Sequence, residues 1–92
     1  MSLAIHHNTE KSRFEYEHQG LLSFVDYHLH DEMMTIVHTY VPKALNGQGI
    51  AAALTQAALR TARNNQWRVR AVCSYTATYL QRHPEFNDLT VH

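Results

Sequence analysis

Ninety-two residues, 45% hydrophobic and 10% aromatic with no net charge, describe a single globular domain with room for one core. Eight basic residues balance eight acidic ones, so the cationic excess that drives nucleic-acid or membrane association is absent and neither partner is expected. No apolar run nears the ~18–20 residues of a membrane-crossing helix and no signal-peptide pattern opens the chain; with Cys73 as its single cysteine, the chain is expected to be cytosolic.

Leu3 and Ile5 alternate with polar residues before Asn8, a short strand pattern, and Asn8 to Ser12 forms a polar turn cluster. From Arg13 to His18 the alternation is clean. Phe14, Tyr16 and His18 share one face and Arg13, Glu15 and Glu17 the other, as in a half-buried strand. Gln19-Gly20 turns the chain. Leu21 to Leu29 is apolar on both parities, the pattern of a more central strand. After His30-Asp31-Glu32, the β-branched run Met33 to Val41 is the third strong strand, ended by Pro42. Such short turns make these three strands antiparallel neighbours.

Asn46, Gly47, Gln48 and Gly49 form a polar loop. The period then changes: Ile50, Leu54, Ala57, Ala58 and Ala62 recur at helical spacing up to about Asn64. Trp67 to Cys73 reads as a strand, parallel to Met33–Val41 through a right-handed crossover. Tyr75 to Arg82 reads as a second helix stopped by Pro84, and Phe86 to His92 as a returning edge strand. The expected class is α/β: a mixed sheet, antiparallel at its start and parallel across the βαβ unit, with two helices.

The glycine loop is the first candidate site. Glycine tolerates tight backbone geometry and removes side chains that would block a ligand. A helix that opens there offers unpaired N–H groups and partial positive charge to an anion. A Gly-x-Gly pair is also a common tight turn, and the run is neither a Walker loop nor a three-glycine dinucleotide fingerprint.

Order and spacing narrow the choice. The chain resembles the GNAT N-acetyltransferase superfamily, whose loop motif Gln/Arg-x-x-Gly-x-Gly/Ala is matched by Asn46-Gly47-Gln48-Gly49-Ile50-Ala51. His38-Thr39-Tyr40-Val41-Pro42, Cys73-Ser74-Tyr75 and Tyr79 with His83-Pro84-Glu85-Phe86 look like the compact subclass that is about the length of this chain and lacks the usual N-terminal helices. The resemblance spans roughly Arg13 to Phe86. It implies acetyl-CoA or coenzyme A as cofactor, held by Thr39, Tyr40, Val41, Asn46, Gly47, Gln48, Gly49, Ile50, Ala51, Ser74 and Tyr75. Asn46 departs from the usual Gln or Arg and brings no charge to a pyrophosphate.

Acetyl transfer from a thioester to an amine needs a deprotonated amine, a polarised carbonyl and a proton for the leaving thiolate. Alkylamines titrate near ~10.4, so a base helps. His38 is the first choice, because imidazole titrates near neutrality; it also reads as a structural residue beside the core. Glu15 and Glu17 are weaker candidates on a solvated face. The resemblance offers a backbone N–H of Val37–Val41 to polarise the carbonyl and Tyr79 as the acid, with Tyr75 a turn earlier as the alternative; both also suit aromatic packing. Cys73, before a helix, can carry a lowered pKa and take the acyl group, or be a small buried residue between sheet and helix. His6, His7, His28 and His30 lack carboxylate or cysteine partners at metal spacing, so no metal is expected. The expected function is acetyl transfer from a coenzyme A thioester to a small amine or a lysine. The alternatives are a CoA-binding module without catalysis and an interaction domain with a vestigial loop. A monomer or weak homodimer is expected, since a small sheet exposes its edges.

Overall fold

A computed structural model describes residues 3–90. Five strands form one sheet in sequence order: β1 (His6–Asn8), β2 (Arg13–His18), β3 (Leu21–His30), β4 (Met33–Tyr40) and β5 (Arg68–Ala71). The first four are antiparallel, and β5 runs parallel to β4. Helix α1 (Ile50–Asn64) makes the crossover and α2 (Ser74–Arg82) follows β5. The mixed α/β sheet with two helices is the one the sequence predicts.

Two-residue turns set the antiparallel register. His18 pairs with Leu21 and His30 with Met33, and the residues between, Gln19-Gly20 and Asp31-Glu32, all have positive φ. That geometry matches the right-handed strand twist. Glu32 is a costly residue there, but its carbonyl accepts the Arg68 N–H at 2.8 Å and so anchors the start of β5.

All the helices lie against one face. Phe14, Val25, Tyr27, Met34, Ile36 and Val69 point from the strands into a single core. There they meet Leu54, Ala58, Leu59 and Ala62 from α1 and Tyr79 and Leu80 from α2. The alanines keep α1 close to the sheet and raise its helix propensity. On the other face no helix among the described residues covers Arg13, Glu15, Phe24, Asp26, His38 and Tyr40.

Three boundaries differ from the sequence reading. Strand β5 is shorter than Trp67 to Cys73: the Trp67 N–H goes back to Ala62, and the N–H groups of Val72 and Cys73 both converge on the Ile36 carbonyl, ending the ladder. The predicted edge strand from Phe86 is instead a 3₁₀ segment, Pro84–Leu89. Proline suits the first helical position, and the three-residue spacing of Phe86 and Leu89 buries both on one side of a 3₁₀ turn. Only the Thr90 bridge to Val69 has strand character; residues 91–92, the end of that expected strand, lie outside the described part. At the other end, only His6–Asn8 of the expected first strand pairs, against β2, and residues 1–2 are likewise outside.

Candidate functional site

The site begins where β4 and β5 part. Their pairing stops at Ile36 and Ala71, whereas β4 continues to Tyr40. The cause lies partly in β4. Asp26 faces His38 and Tyr27 faces Ile36, so Val37 is an extra residue. Such a bulge increases local twist and turns the strand end away from its neighbour. The gap leaves the β5-facing edge of Val37–Tyr40 without a strand partner, a place where an extended ligand can lie.

One side-chain contact spans the gap. Thr39 Oγ1 and Cys73 Sγ are 3.4 Å apart. Cys73 occupies the cap position of α2 in extended conformation. Burial pushes its thiol pKa up, but the Thr39 hydroxyl, the N–H groups of Thr76 and Tyr75 and the Thr76 hydroxyl favour the thiolate more strongly, leaving the pKa below the ordinary thiol value. None of the α2 donors makes a capping hydrogen bond of ordinary geometry to the sulfur; their effect is that of a converging field. The fully buried Thr76 hydroxyl has no conventional hydrogen-bond partner, which fits a group oriented toward the sulfur. Sequence reading missed Thr76, although its position three residues after a capping residue is where cap partners occur.

Below the gap lies the glycine loop. Gly47 (φ 82°) and Gly49 (φ 75°) are both in the left-handed region, and a Cβ on either would meet nothing within 4 Å. Gly49 caps α1 with no side-chain hydrogen bond, and the first turn contains no acidic residue. The first N–H groups of α1 therefore face open space with no competing carboxylate. Val41, Asn46, Gly47, Ile50, Ala51 and Tyr75 contribute to a hollow of about 120 Å³ at this point, completed by Leu45, Gly49 and Ala52. Seven of the sequence-predicted binding residues thus meet in one hollow. Gln48 lies instead in an adjoining groove of about 870 Å³ between α1 and the segment holding Leu3 and Ile5. On the opposite side, Ala52 and Tyr75 are shared with a hollow of about 220 Å³ that includes Tyr79, Arg82 and His83.

The two tyrosines differ. Tyr75 is 38% exposed and borders the loop hollow, whereas Tyr79 is 7% exposed and stacks on His83 at 3.8 Å. Burial raises both phenol pKa values; Arg82 partly offsets this at Tyr75, while Tyr75 and Glu85 add to it at Tyr79 and Arg60 opposes it. Both are protonated at neutral pH, as proton donors must be. Ser74 is exposed at the first position of α2.

His38 and Tyr40 lie on the opposite side of the sheet from Thr39. Thr39 pairs with buried Val25 and reaches Cys73, whereas the His38 and Tyr40 rings pack on Phe24, with centroids at 5.8 and 5.5 Å. Tyr40 can thus offer a ligand in the loop hollow only its backbone. Glu15 is engaged by Arg13 and Asn8; burial raises its pKa, but these partners and the charge on His6 bring it below the usual carboxylate value. Glu17 is exposed. Among the described residues no cluster of three or more His, Cys, Asp and Glu is arranged to hold a metal, and no helix is long and apolar enough to cross a membrane.

Residues 13–89 match the family model described as GCN5-related N-acetyl-transferase. Among solved structures, the NMR solution structure of a GCN5-like candidate N-acetyltransferase from Staphylococcus aureus is similar, with 26% sequence identity and a TM-score of 0.75. The match covers 98% of this chain and 89% of the other.

Proposed function

The chain belongs to the GCN5-related N-acetyltransferase family, and from that premise we propose that it binds acetyl-CoA at the glycine loop and transfers acetyl to a primary amine, free or on a lysine. The Thr39–Cys73 contact across the β4–β5 gap is the observation that carries this reading, because it sets a thiol biased toward thiolate two residues before Tyr75, which borders the loop hollow. The cofactor's chemistry suits the residues present. The uncapped α1 terminus and the open space over Gly47 and Gly49 accept a pyrophosphate, and the free β4 edge accepts an amide-bearing arm. When bound, acetyl-CoA supplies an activated thioester.

The chain's own groups do the rest. Backbone N–H groups on the unpaired β4 edge polarise a carbonyl. Cys73 serves as nucleophile for a two-step route, and His38 removes the amine proton. Tyr75 or Tyr79 returns a proton to the departing thiolate. Chemistry of this kind needs Cys73 as a free thiol, which suits the reducing environment of a cytosol.

Coenzyme A at ~100 times its dissociation constant should stabilise the fold by about 2.7 kcal/mol, visible as a higher melting temperature. Acetyl-CoA with an amine panel should release free thiol, and His38→Ala, Tyr79→Phe and Cys73→Ala should each slow that release. A melting curve indifferent to CoA would sink the reading. Binding without turnover of any amine would reduce it to a CoA-binding module.

A further inference from the structure

The helix-free face of the sheet carries an arrangement that the coenzyme site does not use. Strand register sets two rows side by side across β2, β3 and β4: Arg13, Asp26 and His38 in one, Glu15, Phe24 and Tyr40 in the next. Arg13 is opposite Asp26 yet does not pair with it. Its Nε donates to Glu15, and its guanidinium lies 4.9 Å from the centre of the Phe24 ring. Asp26 is consequently half-buried with no hydrogen bond or ion pair among the described residues. A carboxylate in that state lacks the stabilisation a charged partner gives. Beside it are the Phe24 ring, whose face already holds one cation, and His38, its direct partner across the β3–β4 ladder. Directly opposed side chains on antiparallel strands start only ~4.5–5.5 Å apart.

We propose that Asp26 is the acceptor-binding residue: it holds the acceptor as a primary ammonium on the helix-free face, between its own carboxylate and the His38 imidazole. This rests on the acetyl-transfer reading for what happens next, but the ammonium site stands on the geometry of this face. Thr39 and Cys73 mark the helix side of the β4–β5 gap, and His38, one residue away on β4, marks the other. An amine held by Asp26 reaches the gap from the side opposite the coenzyme. One N–H bond of the ammonium breaks, its proton joins the neutral His38 imidazole, and the bonding pair stays on the amine nitrogen as the attacking lone pair. Asp26 then faces an imidazolium in place of the ammonium, so the carboxylate has a cationic partner before and after the transfer. The arginines on this face do not compete: Arg13 is engaged by Glu15, and Arg70 and Arg68 are level with Thr35 and Met33, three and five residues before His38 on β4.

The test is a pair of NMR titrations of the full chain with n-butylamine and with end-blocked lysine amide, the free and the peptide-borne forms of one ammonium. n-Butanol serves as the uncharged control. Either amine should move the signals of Asp26, Phe24, His38 and Tyr40, and Asp26→Asn should weaken that binding about tenfold or more, the loss expected for a charge-assisted hydrogen bond. Asp26→Ser provides a second variant should the amide disturb the strand. The relative response to the two amines identifies which source the site prefers. Amines that leave these signals unmoved, or move them as strongly in Asp26→Asn and Asp26→Ser as in the wild type, overturn the proposal. CoA melting shifts recorded on the same samples separate the two readings: a lost CoA shift with an intact amine response removes the coenzyme and leaves the ammonium site.

Discussion

Cys73 arrives at the gap with its ionisation already biased, and that bias has a cause that can be removed. The Thr39 hydroxyl favours the thiolate. Thr39→Val should therefore raise the midpoint of a pH–rate profile for Cys73 alkylation by iodoacetamide; an unmoved midpoint would mean the α2 N–H groups and the Thr76 hydroxyl set it without Thr39. Gly49 provides a contrasting case. The space around it is open but its φ is 75°, so Gly49→Val costs only about 1–2 kcal/mol of backbone strain. The variant should stay folded with a slightly lower melting temperature and bind CoA more weakly, because its side chain occupies the cradle. Unchanged CoA affinity would argue against the loop as the pyrophosphate seat. At this scale the sequence showed what was local. Gly47, Gly49 and Cys73 sit in recognisable runs, whereas Asp26 gains its meaning from His38 directly opposite it on the neighbouring strand, a register that depends on a bulge at Val37 that no residue type announces.

The same distinction holds for whole elements. Hairpins and α1 were legible because their signals are short-range: alternation, two-residue turns and a change of period at Ile50. The C-terminal segment was not, since Phe86 and Leu89, three residues apart, fall on opposite faces of a strand but on one side of a 3₁₀ turn, and which of these the chain needs depends on where the core lies. Strand β1 lies between these cases. Three residues make a weak strand, and His7 supplies what pairing cannot: its ring stacks on Phe14 at 4.1 Å and its Nε2 is 2.6 Å from the Tyr27 hydroxyl. Burial, then the nearby His6 charge, lowers the His7 pKa from 6.5. Folding thus prefers neutral His7. That part of the stability is complete above pH 6.5 and declines as pH falls below it through the folded value. Melting temperatures of wild type and His7→Phe, which still stacks but cannot titrate, should differ in their change between pH 7.5 and pH 5. The wild type should lose more on acidification. Equal losses would show that β1 is held by packing alone.

For the molecule as a whole, one-sided architecture has a functional consequence. Placing every helix on one face concentrates stability in a single layer and leaves the other face free for polar and aromatic groups. At the gap, His38 and Tyr40 of β4 belong to that free face while Thr39 belongs to the core side. Stability and acceptor recognition are thereby separated in space, so they should respond to different mutations. Leu59 is fully buried in the α1–sheet layer, and Leu59→Ala should cost about 2–5 kcal/mol, a large part of the ~5–15 kcal/mol typical of a domain. Leu29 is 43% exposed at the end of the β3–β4 hairpin, and Leu29→Ala should stay within about 0.5 kcal/mol. Urea unfolding measures both. Saturating CoA should return roughly 2.7 kcal/mol to Leu59→Ala at ~100 times the dissociation constant, because the loop cradle is built by α1 and survives wherever the fold does. If Leu59→Ala loses its CoA response while still folded, the cradle depends on core packing beneath α1, and the separation between stabilising layer and binding site does not extend to the loop.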